Sequence, residues 1–294
     1  MFVKNAFKTV FLVCSALIGA GFASGREVME FFPAGRGFLS AVVSVAFISL
    51  FVYAILKSGG RIRQYPLYRI GVAMFSLCSL AVMIAASGEL VPHGRILMAA
   101  ATLITVICGI RGIENVSTIL CPAMILFILL FGIKKTYAVC LADVSFSLRF
   151  DAVLYAGYNV ISLPVLLKGR KKPGITALAI FAVMASLMVV VYSASSLYPE
   201  ATMPFFEAVG GGYFVTAMML AALYTTAVCS AFCVCDIMGG GGVTALIITA
   251  AALIFSSTGF GKLISGGYRT FGFAGILAVI YEIVLYFKLD FRKK

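Results

Sequence analysis

Two carboxylates three positions apart, Glu27 and Glu30, follow directly on Gly19-Ala20-Gly21-Phe22-Ala23-Ser24-Gly25-Arg26 in a stretch, about 7 to 32, that is otherwise almost wholly apolar. A carboxylate is costly to bury in such a setting, so it is a functional candidate by default, able to carry a proton or to neutralise a cation. Glu27 is the first choice for that role. The alternative is a charge stabilised by the start of a helix or paired with Arg26, while Glu30 approaches an interface. The three glycines immediately before the pair each lower helix stability by about 1 kcal/mol against alanine. They favour local unwinding, and an interrupted helix presents N–H donors and a partial positive charge to an anionic group such as an amino acid carboxylate. Close helix packing of the small-xxx-small kind is the other reading of the same glycines.

A second cluster, Tyr155-Ala156-Gly157-Tyr158-Asn159, offers two aromatic walls and an amide near a glycine, which suits a small zwitterion with an apolar tail. The remaining acids have plainer explanations. Glu89 stands beside Pro92 and is second to Glu27 as a proton carrier, Glu114 opens an apolar run, and Glu282 snorkels or forms an interhelical pair near Lys288. His93 is the one histidine and falls in a short connection. There is no H-E-x-x-H, no G-x-S-x-G and no pair of histidines, so the enzyme classes that depend on those motifs are excluded and no catalytic residue is assigned. The eight cysteines read as buried thiols; Cys229 and Cys233 share a helix face with no histidine or acid to complete a metal set. Gly239 to Gly242 lack the lysine and Ser/Thr of a phosphate loop.

These residues must be positioned by membrane-spanning elements. The 294 residues are 62% hydrophobic and 12% charged, about half the charge of a globular domain. Ten apolar runs are expected at about 7–32, 37–57, 71–92, 96–111, 113–133, 150–167, 174–196, 212–236, 243–263 and 267–288. None alternates in the manner of barrel strands, so the fold class is all-α, a polytopic membrane protein. The net charge of +12 is not a nucleic-acid patch: Lys4, Lys8, Lys57, Arg61, Arg63, Arg69, Arg111, Lys168 and others fall in short connections on one side. That bias puts both termini in the cytoplasm and the chain in the inner (plasma) membrane, with Lys134, Lys135 and Arg149 opposing it. The signal-peptide look of the first 25 residues is explained by the helix interruption instead. One domain, 1–294, is expected, and ten helices divide five plus five, so the second half enters from the opposite side as an inverted repeat, about 7–133 and about 150–288, with the first and sixth helices broken.

The sequence resembles the YkvI-like bacterial membrane proteins, related to the LeuT-type amino acid/cation symporters of the APC superfamily. The likeness rests on Gly19-Ala-Gly-Phe-Ala-Ser-Gly-Arg-Glu-Val-Met-Glu-Phe-Phe32, Gly112-Ile113-Glu114-Asn115 before Pro122, Tyr155 to Asn159, Tyr224-Thr225-Thr226-Ala227, and Gly259-Phe260 with Tyr268-Arg269-Thr270-Phe271-Gly272. It implies a central site between helices one, three, six and eight, with solute contacts at Ala20, Gly21, Phe22, Ala23, Ser24, Gly25, Arg26, Tyr155, Tyr158 and Asn159. A sodium site is implied at the Ser15 and Ile18 carbonyls with Ala222, Thr225 and Thr226. Oxygen ligands without a fixed anion suit that ion, and the alternative is that both threonines bond back to their own helix. The family pattern usually has glutamine where Arg26 stands, so a fixed cation beside the site would bind an anionic substrate or replace a bound sodium ion.

Cation-coupled import of a small amino acid or related amine by alternating access is therefore expected, with sodium or a proton at Glu27 as the coupling ion and no other cofactor. The expected partners are a small-molecule substrate and the lipid bilayer, without nucleic acid. A receptor that binds a metabolite on the same fold is the alternative, distinguished by binding without flux.

Overall fold

The computed structural model describes residues 2–136, 149–170 and 172–290, without the side chains of 2–6, 20, 260–269 and 288–290. Residues 137–148, between the expected runs 113–133 and 150–167, and Lys171 lie outside the described residues. Regular structure among the described residues is entirely helical: α1 (Phe2–Leu17), α2 (Ala20–Ser24), α3 (Arg26–Phe31), α4 (Phe38–Ser58), α5 (Pro66–Leu90), α6 (Gly94–Ile107), α7 (Gly109–Thr136), α8 (Asp151–Val160), α9 (Leu163–Leu166), α10 (Pro173–Ser195), α11 (Pro204–Val209), α12 (Tyr213–Ile237), α13 (Gly242–Phe255) and α14 (Phe260–Asp290). Six helical stretches among the described residues are long and apolar enough to cross a membrane, and the shorter apolar helices are Phe7–Leu17, Gly94–Ile107, Asp151–Leu166 and Gly242–Thr258. Proline opens α5, α10 and α11, where its missing N–H would have had no intrahelical partner.

The helices pack around α1–α3. Leu12, Val13, Cys14, Ser15, Ile18 and Phe22 are wholly buried, so the middle of this segment lies at the centre of the packing. The α12 helix lies on α5, α10 on α4, and α14 on α8. Large apolar side chains such as Leu67, Ile119, Leu178, Val243 and Ile254 are instead turned fully outward. A surface of that kind has lipid as its natural solvent.

Three differences from the sequence expectation have local causes. The run expected to end near 263 stops at Phe255, because Ser256, Ser257 and Thr258 donate back to the carbonyls of Leu253, Ile254 and Phe255 and Gly259 then turns at φ 96°. Residues Tyr155 to Asn159 lie inside α8, and the chain leaves the helix only at Ile161–Ser162, before Pro164. Gly157 serves contact instead: a Cβ there would sit 2.4 Å from the Gly272 carbonyl, and one on Gly275 would sit 1.9 Å from the Gly157 carbonyl. Glu282 does not snorkel to an interface; it is buried and accepts the Arg61 and Ile62 backbone N–H groups at 2.7 and 2.5 Å, capping the turn Arg61–Gln64.

The α8–α14 crossing tolerates no side chain at its centre. Gly275→Ala should cost about 1–3 kcal/mol of stability by overpacking, read as earlier labelling of the buried cysteines by a thiol dye on heating. Gly71→Ala, with nothing within 4 Å of its Cβ, should be neutral or slightly stabilising.

Candidate solute site at the interrupted first helix

The α1 helix ends at Leu17, and its last turn is closed by the Ile18 N–H on the Cys14 carbonyl at 2.7 Å. Gly19 is extended at φ −88°, ψ −171°, and α2 then resumes with the Ala23 N–H on the Gly19 carbonyl. Gly25 follows at φ 76°, a conformation open to glycine at no steric cost, and its N–H returns to Phe22. A Cβ on Gly25 would also meet Ser195 Oγ at 1.9 Å, so glycine is required there for space as well as for torsion. Ser24 Oγ accepts the Arg26 N–H at 3.3 Å and donates to the Gly21 carbonyl at 3.2 Å, tying the end of α2 to the start of α3.

With the helix stopped, the Ser15 carbonyl is reached by side chains of α12. Thr226 Oγ1 donates to it at 2.9 Å and Thr225 Oγ1 at 3.4 Å; Thr225 also reaches the Ala222 carbonyl of its own helix at 3.0 Å. Ser15 Oγ in turn donates to Ser117 Oγ on α7 at 2.7 Å. The bond of Thr225 to its own helix is the one expected as the alternative to a sodium site. The Ser15, Ala222, Thr225 and Thr226 oxygens form a buried, uncharged cluster, chemically suited to a hard monovalent cation. Ile18 is buried beside them.

Glu27 folds back from α3 over Gly21. A Cβ on Gly21 would lie 2.3 Å from Glu27 Oε2, so the absence of a side chain is what admits the carboxyl group. Glu27 is 3% exposed. Tyr158 donates to Oε2 at 3.4 Å, the Tyr155 and Asn159 side chains face the same carboxyl, and Oε1 is buried with no hydrogen bond of ordinary geometry among the described residues. Phe31 and Phe32 pack edge-on against Tyr155 at 5.3 and 5.2 Å, and Phe31 stacks on Tyr158.

Beside the carboxyl lies a cavity of about 20 Å³, room for a water-sized occupant in this conformation. Of the residues expected at the site, Glu27, Tyr158, Asn159 and Thr226 line it, with Gly19 at the helix interruption. Phe22, Ala23, Ser24 and Gly25 are buried but outside its lining, and the Ala20 side chain lies outside the described residues. Arg26 is turned away from it: its guanidinium donates to the Ala201 carbonyl at 3.4 Å and lies 3.9 Å from Glu30, both side chains about a third exposed. Arg26 therefore does not stand in the cavity as a fixed cation, contrary to the expectation for it. Glu89 is exposed and Glu114 pairs with Arg170, which removes both from the site. Sequence reasoning missed Phe75 and Ser79 of α5 and Ser230 of α12, whose hydroxyls meet at 3.0 Å across the cavity. Ser76, Ser79 and Met83 fall on one face at helical spacing, and that serine stripe was the available signal.

No family model matches the chain. An uncharacterised Bacillus subtilis (strain 168) protein, YyaD, is 24% identical over 328 aligned positions, spanning 95% of this chain and 96% of its own. Among solved structures, the nucleobase-cation-symport-1 family transporter Mhp1, closed with bromovinylhydantoin bound, superposes with a TM-score of 0.52 at 12% identity, covering 93% of this chain and 75% of its own. The Eremococcus coleocola manganese transporter, in complex with an aromatic bis-isothiourea compound, gives 0.52 at 13% identity, covering 97% and 77%. The chain shares its fold with these two solved structures. In that frame α1–α3 form an enclosed, interrupted segment whose exposed backbone and one carboxyl face α5, α8 and α12.

The Gly21–Glu27 contact gives a direct test of the geometry. Gly21→Ala should displace the carboxyl from the cavity and weaken solute binding about tenfold, roughly the worth of one charge-assisted hydrogen bond, read as the ligand-induced shift in thermal unfolding. Gly174→Ala, which meets nothing within 4 Å, should leave that shift unchanged.

Proposed function

We propose that the chain is a secondary active transporter that moves a small amino acid or related amine by alternating access, coupled to sodium or to protons. The observation that carries this reading is a buried carboxyl beside a cavity at a helix interruption, in a fold shared with two transporters. A soluble-protein role leaves the outward-facing apolar surface unexplained, and a carboxyl buried in such a protein is costly enough to be a functional candidate by default.

The proposed architecture is ten spans, six long helices and four shorter apolar ones, in one transport unit over 1–294, with inverted repeats of about 7–133 and about 150–288 interrupted in the first and sixth spans. The helix pairings support it. Exchange of the two halves carries the packing of α7 on α1 onto that of α14 on α8, and returns α10 on α4 and α12 on α5 to themselves. In this reading α1–α3 and α8–α9 are equivalent, each a helix divided near mid-membrane. Sodium would be held by the Ser15, Ile18 and Ala222 carbonyls with Thr225 and Thr226, the two hydroxyls turning from the Ser15 carbonyl to present lone pairs. A proton would be carried on Glu27. Placement in the plasma membrane with both termini cytoplasmic, and kinship with the YkvI-like proteins, belong to the same proposal.

Uptake of a pooled, labelled mixture of amino acids and amines into proteoliposomes, under separate sodium and proton gradients, tests it. Gradient-driven accumulation is expected. If sodium is the coupling ion, Thr225→Ala/Thr226→Ala removes the sodium dependence; if the proton is, Glu27→Gln removes the proton dependence. Binding without accumulation under any gradient would overturn transport in favour of a receptor.

A further inference from the structure

The cavity carries a charge asymmetry that narrows its substrate. Among the described residues its one carboxylic acid is Glu27, and neither lysine, arginine nor histidine lines it. Arg26, the adjacent base, is committed to the Ala201 carbonyl and Glu30 outside the cavity. The other titratable groups facing the carboxyl are Tyr155 and Tyr158 from α8, with Cys229 of α12 also in the cavity lining. Tyrosine hydroxyls can donate to a carboxylate but cannot neutralise it. Glu27 Oε1, almost wholly buried, has no hydrogen-bond donor of ordinary geometry among the described residues. The opposite walls are the Phe75 and Tyr158 rings, set edge to face at 5.4 Å, with the Ser79 and Ser230 hydroxyls between helices.

A buried carboxylate met only by neutral groups calls for positive charge, and aromatic rings attract an organic cation more than a zwitterion's carboxylate. An acidic or zwitterionic solute would bring a second negative charge beside Glu27, with no base in the cavity to receive it. We propose that this site takes a small primary ammonium, with Glu27 as its counter-ion, and that the ammonium and a proton compete for that carboxyl. Resting on the transporter reading, this makes the proton a counter-substrate in place of a co-transported ion. In the exchange the carboxyl O–H breaks, its proton leaves to water, and the ammonium pairs with the resulting carboxylate; the reverse follows when the amine departs. The group is never required to stand charged and unpaired.

The test is calorimetry and thermal shift on the purified full-length protein with methylammonium chloride, glycine, sodium acetate and sodium chloride at constant ionic strength, from pH 6 to 8. Methylammonium should bind, release protons as it does so (a binding heat that depends on the buffer's ionisation enthalpy), and weaken as pH falls. Glu27→Gln should lower its affinity about tenfold or more, as expected for removal of one partner from a buried charge pair, and abolish proton release. Should Glu27→Gln fail to fold, the wild-type pH dependence and proton release decide the matter alone. The proposal is overturned if glycine, acetate or sodium binds in preference to methylammonium, if methylammonium binds without proton release, or if it does not bind. Accumulation of some pooled solute in proteoliposomes, alongside any of those results, would sink the ammonium assignment and leave transport standing.

Discussion

One backbone carbonyl organises the centre of this protein. In a continuous helix the Ser15 carbonyl would be answered by its own helix four residues on, but α1 stops at Leu17, and in lipid no water stands ready to replace the lost donor. The answer comes from α12, through Thr226 and Thr225. That requirement places the two threonines against α1, and Ser15 itself is fastened to α7 through Ser117. Three helices far apart in sequence are thus held at one depth, and the segment beyond the interruption is left to α2 and α3.

The interruption also explains where the carboxyl can be. Glu27 reaches the protein centre because Gly21 lacks the Cβ that would strike it and because Gly25 takes a turn that redirects α3. The aromatic pairs of Phe31 and Phe32 with Tyr155 then seal α3 against α8. The site is therefore a property of the chain's breaks, with the flanking regular helices as its frame. Away from it, the same economy recurs at Glu282, which spends a buried carboxylate on two backbone N–H groups at the turn between α4 and α5 and so joins that turn to α14.

Much of this was legible in the sequence where the signal is local. Apolar runs without strand alternation point to helices, which satisfy their own backbone in lipid, and Gly19, Gly21 and Gly25 offer either an irregular segment or close packing. Their two readings proved compatible: Gly19 and Gly25 lie where the helix is interrupted, while Gly21 and Gly25 also sit in contacts too tight for a Cβ. What escaped was relational. Gly157 looked like a helix break because its partners, Gly272 and Gly275, lie more than a hundred residues away. Arg26 adjoins Glu27 in sequence and yet points the other way, since α3 turns one side chain inward and the next toward Ala201. Ser79 and Ser230 acquire meaning only when α5 meets α12.

Transport by alternating access requires the cavity beside Glu27 to open to one side of the membrane at a time. Replacing Ser79 by cysteine, in a background cleared of the eight native cysteines, puts a single thiol in its wall. Labelling by a membrane-impermeant thiol reagent, applied in turn from each face of oriented proteoliposomes with and without a solute and ion gradient, reads its access directly. Alternating access predicts that conditions favouring labelling from one face suppress it from the other. A thiol labelled from both faces at once, or from neither under any gradient, would contradict it.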